Sequence, residues 1–93
     1  MIDQGSITAF EYYRDLLQDM GVTAKNMADT NDTALPHLLW MCEHCIPMIE
    51  SQTYPPHKYS RWLGFVQGCL ICHNHTSVAT ERDRTRPWFK DQT

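Results

Sequence analysis

The sequence predicts an all-α domain, a small bundle of about four helices built around an antiparallel helical hairpin. Three observations predict it. Apolar residues recur at intervals of three and four in three separate stretches. Capping and proline signals sit where those stretches begin and end. Nowhere does a convincing run of alternating apolar and polar residues mark a strand. At 93 residues the chain makes one domain at most, with a thin core.

The first helix is expected over Ala9 to Met20. "TAFE" fits a capping box, with Thr8 as the cap and Glu11 reaching back. Phe10, Tyr13, Leu17 and Met20 supply the apolar stripe, and Gly21 is suited to the left-handed residue that closes a helix. A polar, flexible segment follows at about 22–33. Its Asp29, Asn31, Asp32 and Thr33 favour side-chain-to-backbone bonds over regular structure, with room for one helical turn near Ala24 to Ala28.

The hairpin is expected over about 34–73. Leu35, Leu38, Leu39, Cys42, Cys45, Ile46 and Ile49 form the stripe of its first helix. Pro36 is tolerable in the first turn, whereas Pro47 removes an amide mid-helix and predicts a kink or a stop near Cys45. Pro55 and Pro56 break the pattern. The next helix, roughly His57 to His73, carries Trp62, Phe65, Val66, Cys69 and Cys72, widened by Leu63 and Leu70. Gly64 and Gly68 lie one turn apart in it, a spacing that suits close approach of another helix, from this chain or a partner. A short last helix is expected at about 77–86, capped by Thr76 or Ser77 and ended by Arg86-Pro87, with Trp88 and Phe89 folding back onto the core.

Composition excludes several function classes. The formal charge of −3 and the pI near 5.9 argue against sequence-independent nucleic-acid binding. No stretch is apolar for the length of a membrane span, and the first residues lack a signal-peptide pattern, so a cytosolic protein is expected. No Ser/His/Asp set, phosphate loop or paired carboxylate points to catalysis, and no enzyme is expected.

The four cysteines raise the sharpest chemical question. Cys42 and Cys45 are separated from Cys69 and Cys72 by 23 residues, a good four-thiolate zinc spacing. A hairpin turning at His57 would bring the four together, and a turn near Tyr54 would not. Against a zinc module, all four lie on apolar stripes, where cysteine behaves as a small core residue. No cofactor is the leading expectation, with a structural zinc held by Cys42, Cys45, Cys69 and Cys72 as the alternative. His44 points away from the stripe towards solvent, His73 and His75 close a helix, and His37 and His57 have no evident partner. In "ERDRTRP", Arg82 and Arg86 share a helix face, and Glu81 can pair with Arg84. That run is either a solvated surface or an arginine set gripping a carboxylate or phosphate.

"RWLGFVQG" from Arg61 to Gly68 and "TSVATERDRTRPWF" from Thr76 to Phe89 resemble a group of small accessory proteins carried by tailed bacteriophages. The likeness covers about the last third of the chain, with a weaker echo in "HLLWMC". Cys45, Cys69 and Cys72 are not part of the shared pattern. The resemblance implies a phage accessory protein in the host bacterial cytoplasm and brings no substrate or catalytic residues. Together with the missing catalytic set, it leads to an expected non-enzymatic protein that binds a bacterial host protein, inhibiting or redirecting a defence complex or the replication or transcription machinery. The candidate contacts are the aromatics and arginines typical of interface anchors: Tyr12, Trp40, Arg61, Arg82, Arg84, Arg86 and Trp88. A small-ligand binder acting as a homo-oligomer is a third possibility.

Overall fold

A computed structural model describes residues 2–89. Among the described residues it contains four α-helices and no strand: α1 (Gln4–Asp19), α2 (Leu35–Glu50), α3 (Pro56–Cys72) and α4 (Val78–Phe89). The fold is the expected small helical bundle. Among the described residues, no helix is long and apolar enough to cross a membrane.

Helix α1 begins earlier than expected. Asp3, not Thr8, is the cap, and its carboxylate accepts from the Ser6 amide at 3.0 Å and the Ser6 hydroxyl at 2.9 Å. At the other end Gly21 takes φ of 82°. The amides of Val22 and Gly21 donate to the carbonyls of Leu17 and Gln18, the double bond pattern that closes a helix on a left-handed residue. Helices α2 and α3 end the same way on Gln52 and Asn74, at φ of 59° and 63°.

Helix α2 runs unbroken through Pro47. Glu43, whose carbonyl loses its partner, and Pro47 are both exposed, so water can satisfy that oxygen. Helix α4 likewise passes Pro87, beyond the expected end at Arg86, and continues to Phe89, the last described residue. Pro87 forfeits the bond to the carbonyl of Asp83, an exposed residue where water can replace it, and Trp88 and Phe89 pack against the core as expected, holding that turn in place. Ser77 is the α4 cap, accepting from the Thr80 amide. The segment at 22–33 turns at Met27 to Asn31, not over Ala24 to Ala28, with the amides of Thr30 and Asn31 donating to the Met27 carbonyl. It is tied to α2 through the Lys25 amide on the Pro36 carbonyl and the Met27 amide on His37 Nδ1.

Helix α1 packs against each of the other three helices, most extensively against α2. Its Ala9, Phe10, Tyr13 and Leu17 are fully buried, facing a core completed by Leu38, Leu39, Cys42, Cys45 and Ile49 from α2 and Leu63, Val66 and Leu70 from α3. Helix α4 buries only Glu81 completely. Gly64 and Gly68 have open space where a Cβ would stand, so no helix of this chain approaches them closely. The close approach occurs at Gly5, where a Cβ would overlap the carbonyl oxygen of Trp88 and meet the Phe89 ring at 3.3 Å.

Candidate functional site

The five residues between α2 and α3, centred on Thr53, set the register of the hairpin. Trp40 and His44 of α2 lie against Trp62 of α3, with ring centroids 6.2 and 5.9 Å apart. This is the register of the turn near Tyr54. Cys45 accordingly neighbours Tyr59, while Cys69 has Cys72 and Asp32 as electrostatic neighbours. Cys42, Cys45 and Cys69 are buried and Cys72 is exposed, all as free thiols. Among the described residues, no group of three or more His, Cys, Asp or Glu side chains is placed to hold a metal ion. Burial pushes the Cys42 and Cys45 thiols up to about 12, the neighbouring Cys45 adding to the effect at Cys42. These are protonated core groups, poor nucleophiles at neutral pH.

The same register assembles a cluster the sequence reading missed. His37, Trp40 and His44 stand on one face of α2 at i, i+3 and i+7. Their rings stack along the helix, with centroids 5.5 and 4.9 Å apart and planes within 20° and 11° of parallel. Trp62 packs across from α3, and Tyr54 closes the row edge-on to Trp62 at 5.6 Å. His44 is therefore not a solvated side chain. It lies half-buried between Trp40 and Trp62, with Nε2 bonded to the Tyr54 hydroxyl at 2.9 Å. The Lys58 ammonium sits 4.0 Å over the Tyr54 ring. The regular spacing of His37, Trp40 and His44 was the signal available in the sequence.

Beside this cluster is an open cavity of about 280 Å³, walled by His37, Met41, Arg61, Trp62 and Phe65, with Ala28 and Asp32 from the preceding segment. Phe65 also borders a second cavity of about 400 Å³ that continues along α3 past Gly68 to Cys72 and His73. His73 Nε2 is bonded to the Thr33 carbonyl at 2.8 Å, fixing the far end of this groove.

The candidate binding residues divide between two places. Trp40 belongs to the aromatic cluster, and Arg61 is exposed at its cavity. Tyr12, Arg84 and Trp88 meet elsewhere, between α1 and α4: the Arg84 guanidinium lies 4.6 Å over the Tyr12 ring, and Trp88 packs on Tyr12 at 5.7 Å. Glu81 is not at a solvated surface. It is buried there, accepting from the Tyr13 hydroxyl, Thr76 Oγ1 and Arg84 Nη1, while Gln67 donates to Tyr13. This network joins α1, α3 and α4. Arg82 and Arg86 are exposed, and Arg86 lies 3.9 Å from Asp83.

Comparison with protein-family models, with curated proteins and with solved structures finds no match. The geometry of the chain itself therefore carries the functional reading.

Proposed function

We propose that this chain is a small non-enzymatic interaction protein that binds a bacterial host protein through the face shared by α2 and α3. One observation carries the reading. A half-buried row of stacked aromatic rings lies beside an open cavity edged by Arg61. Aromatic and arginine side chains around a pocket are the usual anchors of protein interfaces, and rings held in place by one another lose little freedom on docking. The α1–α4 group of Tyr12, Arg84 and Trp88 is satisfied internally and acts as packing. The resemblance to tailed-phage accessory proteins supports a bacterial partner and a site of action in the host cytoplasm, where binding would inhibit or redirect the partner's own machinery.

The test is capture from bacterial lysate with the full chain as bait, beside Arg61→Glu and Trp62→Ala baits whose helical circular dichroism matches the parent. A specific partner retained by the parent and lost by both variants is the expected result. Failure to retain a specific partner, or equal retention by all three baits, overturns the reading.

A further inference from the structure

Charge is distributed unevenly along this acidic chain. Residues 51–80 contain no aspartate or glutamate, and within them stand Lys58, Arg61, His57, His73 and His75. All of α3 lies inside that stretch. Its two cations flank the aromatic cluster: Lys58 over Tyr54, and Arg61 at the cavity beside Trp62. Among the described residues, ion pairs join Arg14 to Asp15, Arg84 to Glu81 and Arg86 to Asp83, and none involves Lys58 or Arg61. Asp32 is the one carboxylate on the cavity wall, and it comes from the 22–33 segment, so the α3 side is the cationic one.

A protein of net charge −3 that keeps its only carboxylate-free helix beside its aromatic pocket presents a local field opposite to its overall one. The pocket is small for a drug-sized ligand and suits a single apolar side chain. The groove continuing past Phe65 along α3 gives the flanking residues of such an anchor a path beside the helix.

We infer that the α2/α3 face docks an acidic segment of its protein partner, one apolar side chain seated between Met41, Trp62 and Phe65 and flanking carboxylates paired with Arg61 and Lys58. This rests on the interaction reading above and names the chemistry of its partner. The pairs form at the rim, where cations act mainly on encounter and selectivity, so binding weakens with salt. The segment is a protein and not a nucleic acid, because two cations neutralise too few phosphates to hold a strand and the rest of the chain repels it.

The experiment selects binders to the full chain from a random peptide display library and measures the enriched peptides by fluorescence anisotropy. The expected peptides place aspartate or glutamate around one large apolar residue. Their affinity should fall about tenfold with Arg61→Gln or Lys58→Gln and hold with Arg14→Gln, which makes the same charge change on α1. Enriched peptides that are neutral or basic, yet lose binding with Trp62→Ala, would overturn the acidic partner and leave the interaction face standing. Peptides indifferent to every α2/α3 substitution would overturn both readings. Displacement of the peptides by single-stranded DNA at equal affinity would reassign the cations to nucleic acid and overturn the inference as well.

Discussion

The Tyr13 hydroxyl shows how a single polar atom can tie this molecule together. It sits at full burial in α1, donates to Glu81 of α4 and accepts from Gln67 of α3 at 3.0 Å. Burial first, then the carboxylate beside it, raise its pKa well above the ordinary phenol value, so it stays a donor at any physiological pH. Glu81 in turn has three donors, and among the described residues no buried side-chain nitrogen or oxygen lacks a partner. Removing one member from such a set exposes the cost of the others. Tyr13→Phe keeps the ring and deletes the bond, leaving Glu81 short of a donor and Gln67 without its acceptor. It should lower unfolding stability by roughly 1–3 kcal/mol, read as a lower urea midpoint at unchanged slope. An unchanged midpoint would mean that water replaces the hydroxyl and that the network does not hold α4.

The helices differ in what holds them, and the glycines report it. Gly5 touches the backbone of α4 at Trp88, so Gly5→Ala must push Trp88 away and should destabilise the chain by about 1–3 kcal/mol. Gly64 meets nothing, so Gly64→Ala should instead raise stability by roughly 0.5–1 kcal/mol through helix propensity alone. Thermal midpoints moving in opposite directions check the pair. At this scale the sequence was legible where the cause is local. The Phe10, Tyr13 and Leu17 stripe of α1, the Gly21 end and the α3 start at the paired prolines all follow from residues within a turn of one another, whereas Met20, expected on that stripe, is exposed just past the helix. Where a distant partner decides, it was not. Asp3 caps α1 while also accepting from the Tyr59 hydroxyl 56 residues on, and α4 passes Pro87 with Trp88 and Phe89 lodged against Gly5. The site was half legible for the same reason. Trp40 and Arg61 stand out by residue type, and helical spacing sets His44 beside Trp40, but its contact with Trp62 follows only once the loop length fixes which part of α3 lies opposite.

Across the whole molecule, weakly acidic groups are folded away in their neutral forms on three helices. Burial raises the Cys42 and Cys45 thiols to about 12 on α2, raises Cys69 and lifts Tyr59 to about 12 on α3, and raises Tyr13 on α1. Each folded value lies above that of the unfolded chain, where a thiol titrates near 8.5 and a phenol near 10. The unfolded state therefore releases protons first as pH rises. The stabilisation from keeping these groups neutral is complete below about pH 8.5 and is lost progressively as pH rises towards their raised folded values. The fold should consequently weaken with alkali before any buried thiol ionises in the native state. By pH 10 the loss should reach roughly 1–2 kcal/mol for each fully buried thiol. Urea midpoints measured from pH 7 to pH 10.5 should hold level to about 8 and then decline. The Cys42→Ala/Cys45→Ala double variant should start lower, because it leaves space in the core, and decline less steeply, because two of the titrating groups are gone. Equal slopes for parent and variant would show that these thiols are not held neutral by the fold, and that the core between α1 and α2 admits water.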